Sequence, residues 1–391
     1  MYKDSTLERL NMLVLFTNLF NSNNNFFVIE KRVIMTGRIF SKLNLVLFTF
    51  VLAVVFTGIS QAKVTLELPQ WQQHKIPGEP SLRGSAIIDN SMWVTGSNNS
   101  VFVSQDGGKS WQDKSVKASV KTGFRDIELF DKNTAIVMGI GEGESSMLYK
   151  TVDGGNSWHL LYQNMDKKGF FDSIAFWDRD NGLLMGDPVD GYYVIKKTTD
   201  GGRSWRRIAQ EKLPKMLEKE AAFAASGNTM IVGENGKAYL TTGGFSSSVY
   251  VSDDYGESWQ RQSVPLYQTT QYAGGYGLAL NHLQQLFVVG GDFEQRNATY
   301  SNIATLIDGV WQKVAAGEKG LRSAMSCQVK ICISTGKTSS DISLDHGHSW
   351  QTLNNNNAAL GDKGFYTLAA DGFIFLAAGA EGKVGILSFK R

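Results

Sequence analysis

Ser104-Gln-Asp106-Gly-Gly-Lys-Ser-Trp111 packs a carboxylate against two glycines, as a cation or phosphate loop would, and the chain repeats it. Near copies are Thr151-Val-Asp153-Gly-Gly-Asn-Ser-Trp158, Thr198-Thr-Asp200-Gly-Gly-Arg-Ser-Trp205, Ser252-Asp-Asp254-Tyr-Gly256-Glu-Ser-Trp259 and Ser343-Leu-Asp345-His-Gly347-His-Ser-Trp350. A shortened copy is Asp308-Gly-Val-Trp311. The six aspartates stand 47, 47, 54, 54 and 37 residues apart, a period that signals a propeller or a solenoid. Short apolar runs precede each octet, such as Asp126-Ile-Glu-Leu-Phe130, Thr134-Ala-Ile-Val-Met138 and Met147-Leu-Tyr-Lys150. With the run after the octet they make four antiparallel strands per unit, one propeller blade.

Tryptophans at the octet position count the blades: Trp71, Trp111, Trp158, Trp205, Trp259, Trp311 and Trp350. Trp71 precedes any inner strands, whereas the final unit, Gly364 to Phe389, has three strands and no Trp strand of its own. Joining the two closes the ring and leaves no open edge. The expected fold is therefore all-β, a seven-bladed β-propeller of four-stranded antiparallel blades closed by the N- and C-terminal strands. Residues 63–391, 329 positions, divide by seven into units of 47.

Ser/Thr-x-Asp-x-Gly-x-Ser-Trp resembles the Asp-box, or BNR repeat, of sialidases and related propellers, where it is a structural turn between the third and fourth strands of a blade. The resemblance assigns the octet to the frame. The longer order of segments is more specific: Ser81-Leu-Arg-Gly84, Phe124-Arg-Asp-Ile127, Phe170-Phe-Asp172, Ala175-Phe-Trp-Asp178, Gly186-Asp-Pro188, Ala222-Phe-Ala-Ala-Ser-Gly227 and Gly290-Gly-Asp292. Together they resemble the photosystem II stability and assembly factor-like family of seven-bladed Asp-box propellers. That resemblance implies a non-catalytic assembly factor or binding scaffold, lumenal in photosynthetic hosts.

Met35-Thr-Gly-Arg38-Ile-Phe-Ser-Lys42, the apolar run Leu45 to Thr57 and Ser60-Gln-Ala62 read as the three parts of a secretory signal. The expected organisation is an upstream segment 1–34 outside the functional protein, a signal peptide 35–62 and a propeller 63–391, exported to a periplasmic or extracellular compartment. The chain carries a formal charge of +2, of which residues 1–62 hold +3, so the remainder is near −1. That balance excludes a general nucleic-acid binder. Cys327 and Cys332 flank a tight turn, and either a disulfide across that hairpin or two buried thiols fits the spacing.

Aligning the units on their innermost strands puts Arg83, Arg125, Phe171, Phe223, Tyr276, Arg322 and Tyr366 in equivalent places around one end of the axis. Asp172 follows Phe171, while Asp187 and Glu220 lie in nearby loops. Arginines suit bidentate recognition of carboxylate or phosphate, and aromatics add stacking area. The expected binding set is Arg83, Arg125, Asp172, Asp187, Glu220, Tyr276, Arg322 and Tyr366, for a protein or peptide partner, with a glycan or small anion as alternatives and the protein as a monomer. The rival is a sialidase-type hydrolase, with Arg83, Arg125 and Arg322 on the substrate carboxylate, Tyr276 and Glu220 as nucleophile pair and Asp172 as acid/base. Lys75-Ile-Pro77 stands where its Arg-Ile-Pro motif would be sought, and seven blades exceed that family's six. No cofactor or metal is expected: Gly336-Lys-Thr338 lacks the first phosphate-loop glycine, and His346-Gly-His348 lies inside an octet without a third ligand.

Overall fold

The computed structural model describes residues 68–296, 298–315, 320–353 and 364–389, together with an antiparallel strand pair, Val14–Phe16 and Lys31–Val33. The signal-sequence reading over 35–62 lies outside the described residues. Two units divide the chain, Met1–Glu67 and Leu68–Arg391. The second is the propeller.

Among the described residues there are seven four-stranded antiparallel sheets, six of which run in chain order from the axis outward. Blade 1 begins with Leu82–Ile88, blade 2 with Gly123–Leu129, blade 3 with Phe171–Phe176 and blade 4 with Met230–Val232. Blades 5, 6 and 7 begin with Ala273–Leu280, Ala324–Gln328 and Thr367–Asp371. These innermost strands touch their neighbours in cyclic order, the seventh against the first. Blade 7 takes its outermost strand, Gln72–Lys75, from the start of the propeller and pairs it with Lys383–Ser388, the closure expected from Trp71.

Composition follows distance from the axis. Second strands such as Ser91–Gly96 and Ala238–Thr242 are buried along their length, covered by a neighbouring blade on both faces. Outermost strands such as Gln112–Asp113 and Arg206–Arg207 are polar and exposed. Between blades the cores are aliphatic and aromatic, as where Trp93, Val103, Phe124 and Val137 meet between blades 1 and 2.

Each complete octet is a turn knotted by its own side chains. In blade 2, Asp153 accepts the Ser157 N–H at 2.9 Å and the Ser157 hydroxyl at 2.6 Å, while the Thr151 hydroxyl donates to Asp153 at 2.8 Å. The Gly155 N–H closes the knot on Thr151 Oγ1 at 3.0 Å. The same bonds recur around Asp106, Asp200, Asp254 and Asp345. The second glycine has positive φ and presses on the preceding blade: a Cβ on Gly256, where φ is +77°, would lie 2.6 Å from Leu183. The octet therefore wedges blade against blade. In blade 5 the shortened copy is a two-residue hairpin turn, with Asp308 and Gly309 at φ 49° and 76°.

Cys327 and Cys332 face each other across the blade 6 hairpin and are joined as a disulfide. Of the two arrangements that fit the spacing, the structure has the bonded one.

Gly256→Ala is expected to destabilise the propeller by roughly 2–4 kcal/mol in urea unfolding, because it adds overpacking to backbone strain. Gly107→Ala, at φ +72° with open space around it, adds strain alone, about 1 kcal/mol. Hydrogen bonds from Ser157 and Ser204 draw the Asp153 and Asp200 carboxyls down to about 2. A carboxyl depressed on folding contributes stability above its unfolded value and loses it as pH falls through the folded one. Thermal melts are therefore expected to fall between about pH 4 and pH 2, and less steeply in Asp153→Asn.

Candidate functional site

The innermost strands of four blades share a defect. Their ladders skip one residue, so that Leu82 and Gly84 pair with Gly96 and Thr95, leaving Arg83 out. The same slip leaves out Arg125, Asp172 and Tyr276. A bulge turns the extra side chain out of the strand's normal alternation, and here all four border one cavity at the axis, of about 640 Å³. In blade 3 the displaced residue is Asp172, which corrects the expected register by one position. Phe171 is buried between blades, stacked on Tyr162.

The floor of this cavity was not legible in the repeat. Blade 4 lacks a long innermost strand; Ala222–Thr229 instead runs across the axis before Met230–Val232 begins. The crossing segment is tied to the surrounding blades. Arg83 donates to the Ala225 carbonyl, Ser173 to the Gly227 carbonyl, Ser226 to the Ser323 carbonyl and Asn228 to the Leu368 carbonyl. This plug separates the cavity from a second one of about 290 Å³ that holds Asp126 and Glu128. Phe223 belongs to the plug and not to a strand, and its ring stacks on Tyr276 at 4.4 Å. Asp126 turns away from the larger cavity, accepting from Ser173 Oγ and the Ile174 N–H, and so ties blade 2 to blade 3.

The cavity wall carries Arg83 and Arg125 from blades 1 and 2, with Tyr366 beside them. The Arg83 guanidinium lies 3.8 Å over the Tyr366 ring, a cation–π stack. Among the described residues, neither arginine is within ion-pair distance of a carboxylate. Arg83 Nε is buried without a hydrogen-bond partner. Burial, then the Arg83 charge, lowers Arg125 to about 10. Both therefore stay charged at neutral pH, at a cost that an incoming anion relieves. Arg296 and Lys337, which sequence reading did not single out, border the same cavity. They sit in loops outside the repeat, so no period marks them.

Six of the eight expected residues border this cavity: Arg83, Arg125, Asp172, Asp187, Tyr276 and Tyr366. The other two do not. Arg322 is fully buried and donates through Nε and Nη2 to Asp341 at 2.8 and 2.5 Å. Asp341, in the third strand of blade 6, draws it into the sheet. Glu220 is also buried, accepting from the Leu217 N–H at 2.6 Å, the Tyr250 hydroxyl at 3.1 Å and the Thr242 hydroxyl. The Tyr276 hydroxyl donates to the Tyr272 carbonyl at 2.6 Å. The three-arginine cradle with a Tyr–Glu nucleophile is therefore not assembled.

A family model for photosynthesis system II assembly factor YCF48 matches residues 70–143, a span that holds both Arg83 and Arg125. The chain resembles that family. None of the curated proteins matches it in sequence. Among solved structures, YCF48 bound to D1 peptide is 15% identical with a TM-score of 0.59, covering 84% of this chain and 100% of that one. YCF48 from Cyanidioschyzon merolae is 14% identical with a TM-score of 0.61, covering 82% and 99%. A catalytically inactive virginiamycin B lyase from Staphylococcus aureus, with quinupristin, is 10% identical with a TM-score of 0.61, over 82% and 99%. At such identities the likeness is one of fold.

Removing a partner from a buried ion pair strands its charge, so Arg322→Ala is expected to cost about 3–5 kcal/mol of stability. Arg83→Ala relieves repulsion and burial of a charge but gives up one stack and the long hydrogen bond to Ala225, so its melt is expected within about 1 kcal/mol of wild type. Parallel denaturant titrations separate the two arginines.

Proposed function

We propose that the protein is an exported binding scaffold of the assembly-factor kind, which holds a protein partner by a carboxylate-bearing peptide segment in the larger axial cavity. The observation that carries this is the pair Arg83 and Arg125, half-buried, lacking carboxylate partners and stacked beside an aromatic ring. Charged hydrogen bonds to a desolvated anion are worth more than exposed ones. Arg296 and Lys337 tip the lining charge further to the positive side. The peptide bound by the structurally similar YCF48 supports the same class of partner. The signal read at 35–62 would place the propeller beyond the membrane. No helix among the described residues is long and apolar enough to cross one.

Immobilised protein is expected to capture a partner from host envelope extract, and Arg83→Ala with Arg125→Ala is expected to weaken that capture about a hundredfold, the loss of two charged contacts. Raising salt should erode binding by the wild type, since the cavity is open to solvent at its mouth. Equal capture by wild type and the double variant, both folded, would overturn the reading.

A further inference from the structure

Next to the arginines in the ring, blade 3 makes the cavity wall acidic. Asp172 is displaced into the cavity by its bulge, is only 2% exposed, and has one carboxylate oxygen buried without a hydrogen-bond partner. Asp187, from the second strand of the same blade, joins it at the exposed rim. Among the described residues, no Lys, Arg or His lies within ion-pair distance of either. The cavity therefore presents unpaired cations from blades 1 and 2 and unpaired acids from blade 3, close enough to share one lining and too far apart to neutralise each other. A purely anionic ligand satisfies one wall and leaves the acids of the other without a partner. A buried carboxylate without a partner costs stability, and one side chain of the right charge would remove that cost.

Resting on the scaffold reading above, we propose that the bound segment is bipolar: its carboxylate sits on Arg83 and Arg125, and a Lys or Arg side chain of the same segment reaches Asp172 and Asp187. The stem of such a side chain lies along Phe170 and Phe223, which line the same cavity. Burial, then the Asp187 charge, holds the Asp172 carboxyl well above the usual carboxylate range. Docking a cation beside it lowers that value, so binding releases a proton. The groups facing Asp172 are Asp187 and Tyr193 on its own blade, with Arg83, Arg125, Arg296 and Lys337 elsewhere around the cavity.

The probes are N-acetylated six-residue alanine peptides with a free terminal carboxylate, in which one Lys is moved through the other positions. Each is matched by a norleucine peptide and by a C-terminally amidated one. Calorimetric titration uses the full chain, Asp172→Asn, and the Arg83→Ala, Arg125→Ala double variant. At least one Lys peptide is expected to bind about tenfold or more tightly than its norleucine match, the scale of one desolvated charge pair. Asp172→Asn should erase that difference together with the proton release seen in buffers of different ionisation enthalpy. Its melting temperature should equal or exceed wild type, because it removes an unpaired buried acid. Equal binding of Lys and norleucine peptides at every position, or a preference that survives Asp172→Asn, overturns the bipolar ligand while leaving the scaffold reading intact. Amidated peptides and the double-arginine variant test that reading separately. Binding of no peptide by folded wild type overturns both.

Discussion

A ring of sheets is stable only if its last blade is complete, and here that completion is a single antiparallel pairing of four residues, Gln72–Lys75, with the strand Lys383–Ser388. Without it blade 7 would end on an open ladder, an edge that invites aggregation. Trp71 packs at this seam against Phe365, the ring centroids 5.0 Å apart. The seam also governs the site, because the Arg83 stack on Tyr366 joins blade 1 to blade 7 and exists only in the closed ring.

Inside that ring, the octets and the axis divide the labour. Each octet acid is consumed by its own serines and backbone, which leaves it nothing to offer a ligand. At the axis the acids split by environment: Asp126 is held by three donors, whereas Asp172, one blade on, keeps an oxygen without any. Two aspartates at nearly equivalent positions in their blades thus serve one as a clasp and one as an acid with an oxygen left unsatisfied. The bulge decides which: Asp126 resumes the ladder where Asp172 is thrown out of it.

The frame was legible because it is written in period and residue type. Octet spacing, seven tryptophans and the mismatch between the first Trp and the last three strands fixed blade number and closure. The site was legible chiefly where it shared that period, as Arg83, Arg125, Tyr276 and Tyr366 do. Arg322 occupies the same sequence register, but its buried partner Asp341 is one that only the folded sheet brings near. Glu220 was misplaced for a similar reason, since Tyr250 and Thr242 reach it from strands of blade 4. The plug was hidden because Ala222-Phe-Ala-Ala-Ser-Gly227 has the apolar, small-residue composition of an inner strand, and its crossing of the axis depends on hydrogen bonds exchanged with four other blades. Arg296 and Lys337 stand in loops, where no repeat points to them.

That plug gives the axial cavity a floor, and a floor turns a channel into a blind socket. Nothing can be threaded through it, and whatever enters must leave by the same mouth. A chain end or the tip of a tight loop can reach the arginines; the middle of an extended strand cannot. On the scaffold reading, a partner is therefore held only by a segment that can present an end or a tight turn to the cavity.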